Sequence, residues 1–215
     1  ELKKLDWASK IHRVRGPKKS RYAKMRLDKN EKPNSHQNEF FNNLKKSLKN
    51  EHLTAYPETE KVYDLISKKF NLKRKSIVLT PGSDAGIKNC LDLCVEKNES
   101  IITIDPTFAM VDIYSKIKRV KQLKIKYNKD LNLDYKKILK IIKNKKISLM
   151  IIANPNSPTG TIIEKTQMIK IINKCNNSKV PIIIDEAYEG FYNFTYVPYI
   201  KRFKNLIVTR TFSKS

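Results

Sequence analysis

The sequence predicts an α/β fold on a mostly parallel sheet, and three observations predict it. From Lys75 onward, short β-branched runs alternate with helical periods, the order expected of βαβ units. Candidate strands such as Ile182-Ile183-Ile184 carry apolar residues toward both faces, the pattern of a sheet covered on both sides. Four of the five glycines, Gly82, Gly86, Gly160 and Gly190, fall in or beside segments that follow a strand, where open α/β sheets place their ligands.

The elements follow in chain order. Before Lys75 the chain reads as a polar, Lys-rich arm with Pro17 and Pro33, a helix near 37–49, the turn Tyr56-Pro57-Glu58 and a helix near 60–70. Strands are expected at 76–80, 100–105, 121–127, 147–153, 180–185 and 205–210, each a short β-branched run. Between the first two, residues 84–96 place Ile87, Cys90, Leu91, Cys94 and Val95 on one helical stripe, which makes the two cysteines core residues rather than a metal pair. A second stripe, Tyr135, Ile138, Leu139 and Ile142, predicts a helix over 135–146 whose lysines form the solvated face. There is no internal repeat and no low-complexity linker.

Composition narrows the function classes. The 215 residues hold 45 Lys+Arg against 21 Asp+Glu, a net charge of +24, with 40% hydrophobic residues. High charge keeps a chain unfolded only when hydrophobicity is also low, so a folded domain with a real core is expected. The longest apolar runs fall far short of the roughly 20 residues a membrane-spanning helix needs. The N-terminus, Glu1-Leu2-Lys3-Lys4, has no apolar signal region behind it, and with no initiator Met and an abrupt stop at Lys214-Ser215 the chain reads as a fragment. Three cysteines form no disulfide framework and point to a reducing, cytoplasmic setting, while His12, His36 and His52 are scattered without metal spacing. A basic chain is also the footprint of a nucleic-acid binder, but the lysines are dispersed and no reader motif or clustered basic face with aromatics accompanies them.

Four segments after strands carry the chemistry. Thr80-Pro81-Gly82-Ser83-Asp84-Ala85-Gly86 enters a helix through a small-residue turn, which is either an ordinary capped start, with Ser83 or Asp84 as N-cap, or a phosphate cradle. Asn154-Pro155-Asn156-Ser157-Pro158-Thr159-Gly160 is a Pro/Gly/Asn turn. In Asp185-Glu186-Ala187-Tyr188 a carboxylate ends the most apolar strand and needs a cationic or hydrogen-bonding partner. Arg210-Thr211-Phe212-Ser213-Lys214 brings a lysine after the last strand. A phosphate cradle, an acid for a ring nitrogen, a phenol and a lysine are the parts of a pyridoxal phosphate site.

With these motifs the chain resembles the fold type I, class I/II aminotransferases, and among them the histidinol-phosphate aminotransferase family. The resemblance runs from Leu27-Asp28-Lys29-Asn30-Glu31-Lys32-Pro33 to Thr211-Phe212-Ser213-Lys214. It implies a three-layer αβα large domain over 51–215, incomplete at its C-terminus, preceded over 1–50 by an arm and part of a small domain. It implies that Lys214 is the Schiff-base lysine and proton shuttle, that Asp185 pairs with the pyridine nitrogen, and that Tyr188 donates to the phenolic oxygen of pyridoxal 5'-phosphate. Ser83, Asp84 and Ser213 would hold the phosphate, Phe108 would stack on the ring where the family often has tyrosine, and Tyr56 would reach the partner's phosphate in a homodimer.

Two departures from the family pattern stand out. Ser157 occupies the place of an asparagine that bonds the phenolic oxygen, with Asn156 beside it able to compensate, and the Ser157–Pro158 bond is one that related enzymes often hold cis. The arm His12-Arg13-Val14-Arg15-Gly16-Pro17 lacks a tyrosine common in the histidinol-phosphate enzymes. The family's phosphate and carboxylate arginines, and its last large-domain strand, would lie beyond Ser215, leaving an exposed sheet edge. The implied reaction transfers an amino group between an amino donor and a 2-oxo acid or imidazole-acetol phosphate. A decarboxylase of amino-acid phosphates, such as the threonine-phosphate type, would use the same Asp, Tyr and Lys. Neither metal, nucleic acid nor membrane is called for.

Overall fold

The computed structural model describes Lys10, Ile11, Asn30, residues 35–144 without the side chain of Asn144, and residues 146–214. The expected arm motifs at 12–17 and 27–33 therefore lie outside the described residues, apart from Asn30. Two compact units form, one containing residues 80–213 and one containing residues 18–79 with Lys214. That division falls between Leu79 and Thr80, so the boundary at 50/51 drawn from the sequence does not coincide with it.

In the 18–79 unit, α1 (Asn38–Ser47), the single turn α2 (Glu51–Thr54) and α3 (Glu60–Phe70) follow one another. α3 ends on Asn71 at φ 50°, a left-handed cap that Asn tolerates better than most residues. The strand expected at 76–80 does not form: a 3-10 turn covers Arg74–Ser76 and the rest is extended without a ladder. The β-branched composition is right, but a strand exists only through a partner. Here the Leu79 N–H donates to the Tyr63 hydroxyl at 3.2 Å, and Val78 is left 78% exposed.

The 80–213 unit is a parallel α/β array. Its elements run α4 (Gly82–Cys94), β1 (Ser100–Asp105), α5 (Ala109–Lys118), β2 (Lys121–Lys126), α6 (Tyr135–Asn144), β3 (Leu149–Ala153), α7 (Lys165–Asn177), β4 (Ile182–Asp185) and β5 (Leu206–Thr209). The strands pair in parallel in the order β2-β1-β3-β4-β5. Because β2 and β3 lie on opposite sides of β1, the chain reverses its direction of travel between β1 and β3, the switch point where open sheets bind ligands.

Alternation along each strand divides the core into two layers, as a two-residue period must. Ile102, Ile104, Met150, Ile152, Ile182 and Ile184 face Ile138 and Ile142 of α6 and Met168, Ile171, Ile172 and Cys175 of α7. Ile101, Leu149, Ile151 and Ile183 face Ile87 and Leu91 of α4 and Val111 of α5. The result is the three-layer αβα arrangement. Cys90 and Cys94 pack against the second cluster as the helical stripe required, and burial pushes both thiols up from their ordinary value. Lys136, Lys137, Lys140 and Lys143 lie exposed on α6 while Ile138 and Ile142 are buried. Among the described residues no helix is long and apolar enough to cross a membrane.

Candidate active site

The register of the last strands builds the centre of the site. Ala153, Asp185 and Thr209 are paired across β3, β4 and β5, so they form a row at the carboxyl edge of the sheet. Asp185 sits between two neighbours in that row and is 5% exposed. The Thr209 hydroxyl donates to Asp185 Oδ1 at 2.7 Å. Burial, opposed by the hydrogen bonds of Thr209, the Ala187 N–H and Ser83 and reinforced by the nearby Asp84 carboxylate, leaves the Asp185 carboxyl pushed up to about 6. Besides burial, the main influences on it are two hydroxyls, a backbone N–H and a second carboxylate.

α4 brings Ser83 and Asp84 to this edge. Its N-cap is Pro81 with no side-chain cap hydrogen bond, so neither Ser83 nor Asp84 caps the helix and both lie in its first turn. That correction leaves the helix start without a side-chain cap, the condition that favours an anion. Gly82 turns the chain at φ +75°, a conformation an L side chain adopts only with strain. A Cβ on Gly86 would meet Thr80 Oγ1 at 3.4 Å and Thr209 Cγ2 at 3.5 Å, which shows how closely α4 approaches the end of β5. A Cβ on Gly82 would lie 4.0 Å from Thr211 Oγ1, and Thr211 in turn accepts from the Ser213 N–H at 3.2 Å. Ser83, Asp84, Asp185, Thr209, Thr211 and Ser213 are thus brought together. Asp84 Oδ1 is buried without a hydrogen-bond partner.

The other strand-end loops surround this edge. Phe108 is the N-cap of α5 and packs half-buried against the Ile87–Leu91 cluster. Tyr188 precedes the 3-10 turn Glu189–Phe191, its ring 6.2 Å from that of Phe191. Glu186 is buried and accepts from the Thr195 hydroxyl at 2.6 Å and the Tyr196 N–H at 2.5 Å, which anchors the segment at 195–196. Arg210 forms an ion pair with Glu189.

Ser157 follows the buried Asn156, and the bonds Asp105–Pro106, Asn154–Pro155 and Ser157–Pro158 are cis. Asn156 donates one amide hydrogen to the Pro106 carbonyl at 3.0 Å and the other to Thr159 Oγ1 at 2.8 Å. It therefore has no N–H left with which to replace the asparagine that Ser157 displaces. In the 18–79 unit Tyr56 is exposed, and Lys214 Nζ lies 3.4 Å from the Asn30 carbonyl oxygen.

The sequence did not single out Thr209 or Glu186. Thr209 becomes significant only through its register with Asp185, which no local pattern encodes. Glu186, adjacent to Asp185, had a usable signal, since a second carboxylate at the end of an apolar strand also needs donors.

The residues fit a group carrying an acidic phosphate and a protonated ring nitrogen. Two carboxylates lie near each other, one of them with an orphaned oxygen, and a helix start without a side-chain cap stands beside them. The model of the family "Aminotransferase class I and II" matches residues 22–215. The chain is 34% identical over 194 residues to histidinol-phosphate aminotransferase from Caldanaerobacter subterraneus subsp. tengcongensis, covering 89% of this chain and 54% of that protein. The same enzyme from Clostridium novyi is likewise 34% identical over 194 residues, with the same coverage. The solved histidinol-phosphate aminotransferase of Clostridium acetobutylicum superposes with a TM-score of 0.68 at 29% identity, over 81% of this chain and 52% of that one. The chain thus spans about half the length of the curated relatives it matches.

Proposed function

The chain belongs to the class I and II aminotransferases, and from that premise we propose that it forms the cofactor-binding part of a pyridoxal-phosphate-dependent transaminase of the histidinol-phosphate type. The observation that carries this reading is Asp185, a buried carboxylate held by the Thr209 hydroxyl at the sheet edge. When bound, pyridoxal phosphate supplies an electron-withdrawing ring that stabilises negative charge on a substrate carbon losing its proton.

The remaining work falls to this chain's residues. Asp185 would keep a proton on the ring nitrogen, because an ion pair with that nitrogen removes the cost of its own buried charge. Thr209 holds Asp185 Oδ1 and so fixes the direction of that contact. The N–H groups of Ser83 and Asp84 at the start of α4, with the Ser213 hydroxyl, would bind the phosphate. Tyr188 and Ser157 would donate to the phenolic oxygen, and Phe108 would cover the ring face. Lys214 would attach to the cofactor and then take and return the proton at the substrate α-carbon. Tyr56 would serve the partner copy in a homodimer. The substrates would be a small amino donor and a keto acceptor, with histidinol phosphate the amino donor that the relatives' names favour and imidazole-acetol phosphate its keto counterpart.

The test is to load the full-length protein with pyridoxal phosphate and supply histidinol phosphate with 2-oxoglutarate. The reading predicts a visible cofactor absorption band and formation of glutamate. Carbon dioxide release from an amino-acid phosphate without amino transfer would favour a decarboxylase, and absence of cofactor uptake would refute both.

A further inference from the structure

The strongest polar feature not used by the proposed chemistry lies across the switch point, where the loops after β1 and β3 diverge. Asn156 is buried there, and its orientation is set by its neighbours: the Pro106 carbonyl only accepts, so the amide nitrogen must face it. The carboxamide oxygen then accepts from the Thr107 hydroxyl at 2.9 Å. Two residues on one loop, Pro106 and Thr107, are thereby pinned by one side chain of the other.

The pinning side chain is itself held. The Asn156 N–H donates to the Thr161 carbonyl, and its own carbonyl accepts from the Gly160 N–H, both at 2.8 Å. From the second amide hydrogen a line of hydroxyls continues: Thr159 Oγ1 accepts at 2.8 Å, lies 2.7 Å from Thr161 Oγ1, and Thr161 donates to the Tyr127 hydroxyl at 2.8 Å. With Thr159 accepting from Asn156, its single proton goes to Thr161, so each member polarises the next. The network joins the segments after β1, β2 and β3. The residue immediately beyond Thr107 is Phe108.

We propose that Asn156 is a positioning residue: with Thr107 it clamps the loop after β1 to the loop after β3 and so fixes Phe108 against the cofactor ring. The inference rests on the reading of the site given above. A hydroxyl or amide buried here and deprived of its partner costs as much as a lost hydrogen bond, which gives the clamp enough energy to select one loop arrangement. Phe108 packs against the buried cluster on the α4 and α5 side of the sheet, so the clamp supplies the second restraint on its loop.

The experiment uses the full-length protein and its Asn156→Ala, Thr107→Val and Thr107→Ser variants. It reads the dissociation constant for pyridoxal phosphate, and the circular dichroism of the bound cofactor's visible band per cofactor bound, which reports the ring's seating rather than activity. Thr107→Val should weaken cofactor binding about tenfold, the effect of one lost hydrogen bond, Asn156→Ala, which removes three, should weaken it at least as much, and both should reduce the band. Thr107→Ser keeps the hydroxyl and should bind within about twofold of the parent. If Asn156→Ala does not fold, Thr107→Val decides. A Thr107→Val protein with the parent's affinity and band overturns the clamp, whether or not its melting temperature falls. Failure of the parent itself to bind cofactor refutes the underlying reading and the clamp with it.

Discussion

Asp185 carries a charge that the cofactor-free protein holds at a cost. Its carboxyl is pushed up from 3.8 to about 6, chiefly by burial, which corresponds to about 3 kcal/mol at 1.36 kcal/mol per unit. The sign follows from proton linkage: between pH 4 and 6 the folded chain holds a proton that the unfolded chain has released, so this group's contribution to stability falls as pH rises and is least above 6. An asparagine in its place would have no such charge and could still accept from Thr209. Asp185→Asn should therefore match the cofactor-free parent near pH 4 and exceed it by about 3 kcal/mol at pH 8, while binding pyridoxal phosphate more weakly. Urea denaturation across that range checks it, and a difference independent of pH would contradict it. The expected stability gain accompanying loss of binding is the trade-off of a site kept ready for a cation.

At the scale of the elements, the turn into α4 is the sensitive point. Gly82 at φ +75° starts a helix with no side-chain cap, and its conformation rather than its surroundings forbids a side chain, since the nearest atom to an added Cβ is 4.0 Å away. Gly82→Ala should cost roughly 1–2 kcal/mol in thermal or urea denaturation, and should also weaken phosphate binding by tilting the first-turn N–H groups. Gly190→Ala, where nothing lies within 4 Å and φ is not positive, should change stability by no more than about 0.5 kcal/mol. Equal costs at the two positions would show that the turn is not under conformational constraint.

The same elements show what local sequence can reveal. The strands at 100–105 and 182–185 and the stripe of 84–96 are legible because burial on a sheet or helix face leaves a period in the residues themselves. The expected strand at 76–80 is not realised, because pairing is a property of two segments and composition describes one. Asp185 is visible as a charge where charges are costly. Thr209 and the Asn156–Thr107 clamp are not, because registers and loop contacts join positions 24 and 49 residues apart.

On the scale of the whole molecule, a net charge of +24 finds a plain account in lysines such as Lys136, Lys137 and Lys140 that line the outer face of α6 and leave its buried face apolar. The proposed chemistry centres instead on the carboxyl edge of the sheet, where Asp185 and Thr209 at the ends of neighbouring strands stand beside the start of α4. In so lysine-rich a chain, covalent labelling is a demanding test, since many other amines compete for an aldehyde. The decisive measurement is borohydride reduction of the full-length protein with pyridoxal phosphate, followed by peptide mass spectrometry. One stoichiometric pyridoxyl label is expected, on Lys214, absent from a folded Lys214→Ala variant. A stoichiometric label on another lysine, or one that persists in that variant, would contradict it.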